Sequence, residues 1–132
     1  MSAVEARVRV IYGDTDQMGV VYYANYFRYF ELSRSEYFRA RGGSYVEVEK
    51  RGLMLPVVEA NCSYRASARY DDVLVIRCSV TRLKRASIEF TYEVRKESDA
   101  AILCTGHTLH ACINREGRPT ALPEDVVKLL SP

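Results

Sequence analysis

Residues Tyr12–Phe27 have the sequence YGDTDQMGVVYYANYF, and this stretch decides the fold. Its first half places two carboxylates, Asp14 and Asp16, and a glycine, Gly19, in a short turn. Further along, aromatic side chains recur at steps of three and four, which predicts a long helix; they are Tyr23, Tyr26, Phe27, Phe30, Tyr37 and Phe38. The glycine pair at 42–43 predicts the end of this helix. The free N–H groups of a first helical turn attract negative charge, so a carboxylate beside them is a candidate base or nucleophile.

The composition is that of an ordinary globular protein. The 132 residues are 48% apolar and 27% charged, with a formal net charge of +2, and this length predicts one domain spanning residues 1–132. So small a charge does not predict a nucleic-acid partner. No apolar run approaches the roughly 20 residues that span a bilayer, so we expect no stable membrane insertion. The first residues lack the order of a signal peptide, which favours a cytoplasmic location.

The cysteines and histidines do not have the spacing of a metal site. The four cysteines form no Cys-x-x-Cys pair and lie in apolar, strand-like segments, so we expect reduced, buried thiols; they are Cys62, Cys78, Cys104 and Cys112. His107 and His110 are three residues apart in a predicted strand and so face opposite sides of the sheet, where we expect structural roles. The chain also lacks a Gly-x-Ser-x-Gly elbow and a phosphate-binding glycine loop. We therefore expect no metal, no cofactor and an active site that uses acids alone.

Outside the opening stretch the sequence predicts mainly strands. Val4 to Val10 alternates apolar and charged residues, as a half-exposed strand does. A short helix is predicted at 45–51, further strands at 57–64, 73–83, 87–94 and 101–113, and a terminal helix at 123–130. The short turns between the last four strands predict antiparallel neighbours. The long aromatic helix has only this sheet to cover it, so the predicted fold class is α+β, an antiparallel sheet curled around a central helix.

A sheet that covers one helix leaves its edge strands free, and free edges are usually blunted or paired with another chain. The strand that carries Ile88, Phe90, Tyr92 and Val94 on one face is apolar and aromatic enough for such pairing. The sequence therefore predicts a homodimer joined through this strand.

The roles of the polar residues stay open at this level. Asp14 and Asp16 can both cap the helix or brace a turn, or one can brace while the other reacts. Gly19 favours the second interpretation, because glycine permits close approach of a ligand to the backbone. The basic segment 82–85 is either a solvated hairpin or a clamp for phosphate groups. Five of the ten tyrosines lie within residues 22–37, and some of their hydroxyls are expected to line a pocket or a subunit contact.

Residues 14–26 closely resemble the signature of the hotdog-fold acyl-CoA thioesterases of the 4-hydroxybenzoyl-CoA thioesterase type, and of the short-chain acyl-CoA thioesterases associated with the Tol-Pal operon. A second match lies at Leu55–Pro56 and at 64–74, and the resemblance extends from Val8 to Ile113. It implies a hotdog fold: a long helix wrapped by a curved antiparallel sheet of about five strands. It also implies dimers joined edge to edge, often assembled as a dimer of dimers.

The resemblance implies roles for individual residues. Asp16 matches the catalytic carboxylate, and the backbone N–H of Tyr23 matches the group that polarises the thioester carbonyl. Lys84 and Arg85 match the residues that meet the phosphates of coenzyme A, although Ala86 replaces a basic residue of the 4-hydroxybenzoyl branch. Further substrate contacts are implied at Gly19, Val20, Tyr22, Tyr26, Glu31, Pro56 and Ser87.

The function implied is hydrolysis of short-chain or aromatic acyl-CoA esters, with Asp16 as nucleophile or general base. Alternatives are an acyl-CoA-binding module without catalysis and a thioesterase that acts on acyl-carrier-protein esters. A hydratase is disfavoured because such enzymes usually pair a histidine with an acid, and no histidine lies near Asp16 in the sequence. A purely structural oligomer is the remaining alternative.

Overall fold

The computed structural model describes residues 3–131, so residues 1, 2 and 132 at the ends of the predicted domain lie outside the described residues. The elements follow in chain order, with one turn of 3₁₀ helix at Tyr12–Asp14: β1 (Ala3–Arg9), α1 (Asn25–Ala40), α2 (Tyr45–Lys50), β2 (Val57–Tyr64), β3 (Val73–Lys84), β4 (Ser87–Lys96), β5 (Ile102–Ala111) and α3 (Glu124–Leu130). The predicted α+β class with one long helix is confirmed. The helix α1 begins at Asn25, so Tyr23 of the aromatic pattern lies in the turn that precedes it.

All five strands form one antiparallel sheet in the order β1-β3-β4-β5-β2. The expectation that β2 and β3 are neighbours is wrong, because β2 pairs with β5 at the far side of the sheet. The connecting segment 65–72 crosses beside the acidic turn instead of forming a hairpin. It is held there by backbone bonds from the Val21 N–H to the Ala68 carbonyl at 2.8 Å and from the Asp71 N–H to the Val10 carbonyl at 2.9 Å.

The prediction that β4 pairs with a second copy is also wrong. Its two sides are occupied by β3 and β5, so Ile88, Phe90, Tyr92 and Val94 lie in the interior and are buried under α1. The free edges of the sheet are β1 and β2.

The core lies between α1 and the middle of the sheet. The Phe30 ring stacks on Tyr92 with centroids 4.2 Å apart and 4° between the planes, and Tyr37 and Phe38 pack against Phe90. Opposite them Gly106 leaves space for Phe30, because a Cβ at this position would lie within 2.7 Å of the ring. Such interdigitation fixes the position of α1 over the sheet.

The four cysteines are free thiols, three buried and Cys62 half-buried, as predicted. Across residues 3–131, no helix has both the length and the apolar character needed to cross a membrane.

Candidate active site

The carboxylate of Asp14 braces the acidic turn against α1. It is 4% exposed, and its oxygens accept hydrogen bonds from the Tyr29 hydroxyl at 2.9 Å, the Arg28 guanidinium at 3.0 Å and the Ile11 N–H at 3.3 Å. Its backbone carbonyl accepts two more bonds, from the Tyr22 N–H and the Asn25 side chain, both at 2.9 Å. Burial and the bond to this carboxylate raise the pKa of Tyr29. Three of the roughly four lone-pair sites of this carboxylate are occupied, and the group is buried, so it is poorly placed to react.

Asp16 has a different environment two residues later. Its backbone forms a tight turn, in which its N–H donates to the Val20 carbonyl and the Gly19 N–H donates to its own carbonyl, both at 2.9 Å. Gly19 has a φ of +78°, a conformation that favours glycine. The Met18 N–H donates to Oδ1 of Asp16 at 2.9 Å, whereas no described residue donates to Oδ2. Asp16 is half-buried and keeps an oxygen available.

Tyr23 supplies a backbone donor beside this carboxylate. Its N–H makes no hydrogen bond to any of the described residues, while its carbonyl accepts a bond from the Tyr64 hydroxyl at 2.9 Å. The Tyr64 ring also meets the Tyr23 and Tyr26 rings edge to face, at centroid distances of 6.2 and 5.5 Å. Tyr64 therefore holds the Tyr23 peptide in place.

Asp16 and Tyr23 line one open cavity of about 320 Å³. Val20 and Tyr26, which the sequence places among the substrate contacts, line it as well. We name this space the Asp16 cavity. Gly19 and Tyr22 adjoin it along the chain but do not line it, and the Tyr22 ring lies 4.8 Å from that of Tyr23. Tyr26 is buried, and its hydroxyl accepts a bond from the Ala68 N–H at 3.3 Å.

The structure does not bring the other candidate residues to this cavity. Glu31 lies on α1 beyond it, and Pro56 lies just before β2, where its carbonyl accepts a bond from the Ala111 N–H at 3.2 Å. Lys84, Arg85 and Ser87 lie at the β3–β4 hairpin.

The hairpin and the Asp16 cavity lie toward opposite ends of the sheet. At the cavity end of the sheet, Tyr64 of β2 pairs with Cys104 of β5. At the other end, Val57 of β2 pairs with His110 of β5, and His110 also pairs with Ile88 of β4, next to the hairpin. Seven residues of strand separate the two levels, which corresponds to about 23 Å.

Sequence reasoning missed the residues that close the Asp16 cavity from the side. Tyr64 and the adjacent segment 65–67 line it. The alternation of residues 57–64 identified Tyr64 as the last residue of a strand, but the crossing of segment 65–72 has no local sequence signal.

His110 is structural, as predicted, and belongs to a buried chain of hydrogen bonds. One ring nitrogen lies 2.9 Å from the Leu55 carbonyl and the other lies 2.8 Å from the Thr108 hydroxyl, which is 2.6 Å from the Tyr92 hydroxyl. A carbonyl only accepts, so Nδ1 carries the proton, and Nε2 must accept from Thr108. Tyr92 then donates to Thr108. Burial lowers the pKa of His110 to about 4, and the nearby Arg34 cation acts in the same direction.

The chain matches the model of the thioesterase superfamily over residues 18–103. The chain belongs to the thioesterase superfamily. It is 32% identical over 121 residues to the acyl-CoA thioester hydrolase YbgC of Escherichia coli, covering 91% of this chain and 90% of the relative. It is 25% identical to the 4-hydroxybenzoyl-CoA thioesterase of a Pseudomonas species, covering 98% of both chains. The crystal structure of the DHNA-CoA thioesterase of Staphylococcus aureus superposes with a TM-score of 0.94 at 30% identity, covering 99% of this chain and 90% of that one.

These matches confirm the predicted hotdog fold and the prediction that this superfamily member is a thioester hydrolase. Asp16 and Tyr23 bring a carboxylate and a backbone N–H without an acceptor among the described residues to one cavity. Within residues 3–131 no three His, Cys, Asp or Glu side chains are grouped so as to hold a metal ion.

The hydrogen-bond chain at His110 predicts a pH dependence of stability. The folded pKa of about 4 lies below that of an unfolded histidine, so between about pH 6.5 and pH 4 the unfolded chain takes up a proton that the folded chain refuses. The free energy of unfolding should therefore decrease as the pH is lowered from about 6.5 to 4, by up to about 3 kcal/mol from this residue. In the His110→Gln variant, this contribution to the pH dependence of the free energy of unfolding should disappear. The carboxylates should contribute equally in the variant and in the wild type. Urea unfolding at a series of pH values measures both slopes, and equal slopes would contradict the prediction.

Proposed function

We propose that this protein hydrolyses acyl-CoA thioesters at the Asp16 cavity. The observation that supports the proposal is the juxtaposition of a carboxylate with a free oxygen, Asp16, and a backbone N–H without an acceptor, that of Tyr23, at one open cavity. The relatives named as acyl-CoA and 4-hydroxybenzoyl-CoA thioesterases supply the handle, coenzyme A.

Asp16 is the reactive carboxylate in this proposal because Asp14 is not available. The Asp14 oxygens are buried and engaged by Arg28, Tyr29 and Ile11, whereas Asp16 is half-buried and faces the cavity with one oxygen undonated. In this proposal Asp14 fixes the turn and Asp16 reacts.

The thioester carbonyl would accept a hydrogen bond from the Tyr23 N–H, which stabilises the oxyanion as negative charge develops. A preorganised donor of this kind contributes roughly 10²–10³-fold in acyl transfer. Asp16 then either bonds to the acyl carbon, expelling the thiolate and leaving a mixed anhydride that water cleaves, or removes a proton from the water that attacks. Both routes break the C–S bond, add one water and release the free acid and coenzyme A.

Asp16→Asn tests the role of the carboxylate. We expect kcat to fall at least about 10²-fold, because an amide neither attacks nor accepts the proton of water, while Kd for the ester stays within a few-fold. Thiol release from benzoyl-, short-chain and long-chain acyl-CoA esters measures kcat.

Asp14→Asn is the matched control. It should lower the melting temperature, since a buried donor left without its acceptor costs about 1–3 kcal/mol, whereas Asp16→Asn should melt like the wild type. Turnover by Asp16→Asn close to that of the wild type would remove Asp16 from the mechanism.

Lys84 and Arg85 are proposed to meet the phosphates of coenzyme A, with Ser87 beside them. Both charged side chains are exposed, and the hairpin is anchored from beneath by bonds from the Cys112 N–H to the Ala86 carbonyl and from the Leu122 N–H to the Arg85 carbonyl, both at 2.8 Å. A rigid hairpin with two cations suits phosphate groups.

In a homodimer, the β3–β4 hairpin of one subunit would lie beside the Asp16 end of the other subunit's sheet. The β1 edge carries Glu5, Arg7 and Arg9, all in ion pairs, whereas β2 carries one charged residue, Glu59, and is almost wholly exposed. Charged edges resist pairing, so we infer a homodimer joined through β2. Two β2 strands paired about a two-fold axis run antiparallel, which places the hairpin end of one sheet beside the Asp16 end of the other.

The double variant Lys84→Ala, Arg85→Ala should raise KM for coenzyme A esters about tenfold or more and change kcat little, since these contacts lie far from the bond that breaks. A matched control, Arg39→Ala with Lys50→Ala, removes the same charge from two exposed helical positions and should leave KM unchanged. An unchanged KM in the hairpin variant would return the segment to the solvated-hairpin interpretation.

Asn61→Lys tests the dimer. Asn61 is exposed near the middle of β2, so a two-fold axis would bring the two new cations together, and like charges facing each other destabilise strand pairing. Sedimentation should show a shift from dimer to monomer. Glu5→Lys places the same charge on the β1 edge and should leave the mass unchanged; a dimer that survives Asn61→Lys and dissociates with Glu5→Lys would assign the interface to β1.

A further inference from the structure

The carbonyl of Tyr23 is held mainly by a side chain from a distant strand. The Tyr26 N–H donates to this oxygen at 3.4 Å, whereas the Tyr64 hydroxyl donates to it at 2.9 Å. Good N–H···O bonds lie between roughly 2.7 and 3.2 Å, so the backbone bond is the weaker of the two. The chain therefore enters α1 loosely at Tyr23, and the Tyr64 hydroxyl is the firmer anchor of this residue.

The side chain of Tyr23 adds little to this anchoring. The residue is 59% exposed, and its ring meets those of Tyr22 and Tyr64 at centroid distances of 4.8 and 6.2 Å. On the other side of the Tyr23 N–H, the Tyr22 carbonyl accepts a bond from the Asn25 N–H at 2.8 Å. The direction of the Tyr23 N–H is thus set by a bond on each side, one from the backbone and one from Tyr64.

Tyr64 is itself fixed by the sheet. It pairs with Cys104 at the end of β2, and the next two N–H groups, those of Arg65 and Ala66, both donate to the Leu103 carbonyl, at 2.8 and 3.2 Å. Its ring also packs edge to face on the buried ring of Tyr26. A side chain held in this way is suited to fixing the geometry of a neighbouring group.

The hydroxyl of Tyr64 has no second proton for a ligand. Its single proton is donated to the Tyr23 carbonyl. Burial raises the pKa of this hydroxyl, so it keeps the proton at neutral pH. Tyr64 lines the Asp16 cavity, but with its proton engaged it has no donor to offer a thioester oxygen. Its route to the thioester carbonyl is therefore through Tyr23.

We infer that Tyr64 is a positioning residue for thioester hydrolysis and that its hydroxyl aims the Tyr23 N–H at the developing oxyanion. This inference rests on the proposed function, in which that N–H is the carbonyl-polarising donor. Such a donor works by preorganisation, because a dipole that is already aligned needs no reorganisation as negative charge develops. A loosened Tyr23 should therefore weaken stabilisation of the transition state more than binding of the ester.

Tyr64→Phe removes one oxygen atom and keeps the ring. For whichever of benzoyl-, butanoyl- and octanoyl-CoA the wild type cleaves fastest, we expect kcat to fall about tenfold or more, within the roughly 10²–10³-fold that a whole oxyanion donor contributes. KM should change less than about threefold, as for an interaction that acts mainly in the transition state. Thiol release measures both constants.

Tyr70→Phe is the matched control. It removes a hydroxyl from an exposed ring that stacks on Tyr12 and does not line the Asp16 cavity, so kcat and KM should both stay at the wild-type values.

Infrared difference spectra separate positioning from a general effect on the fold. The Asp16→Asn variant retains the uncleaved ester, and the carbonyl band of the bound, isotope-labelled ester reports the hydrogen bond from the Tyr23 N–H. Addition of Tyr64→Phe should move this band to higher frequency, because the donor is less well aligned. Addition of Tyr70→Phe should leave the band where it is.

If the wild type cleaves none of the three esters, the proposed function fails. A band that still moves with Tyr64→Phe would then retain Tyr64 as the residue that aims this donor at a bound carbonyl. Turnover by Tyr64→Phe equal to that of the wild type overturns the inference, as does a loss of turnover with an unmoved band or one explained wholly by KM.

Discussion

The buried carboxylate of Asp14 is the interaction on which the rest of the site depends. It joins the chain before the turn, through the Ile11 N–H, to the first turns of α1, through Arg28 and Tyr29. A carboxylate removed from water is tolerated only when its lone pairs are occupied, so these donors must converge before the turn can pack. Asp16 then has little freedom left, because it lies two residues away and its own backbone closes the turn with Val20.

Local periodicity explains why most of the fold could be predicted. The aromatic steps of α1 and the alternation in β1, β3 and β4 depend on neighbouring residues alone, and the structure has these elements within a few residues of the predicted bounds. The position of β2 depends instead on where the crossing segment is held, through Ala68 and Asp71 bonded to Val21 and Val10. Those contacts join residues 47 and 61 positions apart, so the sequence pattern predicted the wrong neighbour for β2 and the wrong edge strand.

The residues of the site likewise differ in whether a local motif or long-range packing brings them together. Asp16 and Tyr23 lie in one contiguous motif, so a sequence could indicate both, although their catalytic roles remain proposals. Tyr64 comes from the far edge of the sheet and meets Tyr23 only because β2 lies beside β5. Arg34 and His110 come from α1 and β5, and their shared cavity exists only after helix and sheet have packed.

The helix α1 couples these separate regions. The turn that leads into it carries the Tyr23 N–H, which has no acceptor among the described residues, and its own turns present Phe27, Glu31 and Arg34 to the space beside β2. A rigid helix keeps these positions at fixed spacing, so any displacement of its first turn moves the adjoining Tyr23 peptide and the side chains beside β2 together. Asp14 fixes that first turn. Asp14 does not line the Asp16 cavity, yet it holds the first turns of α1 against the turn that carries Asp16.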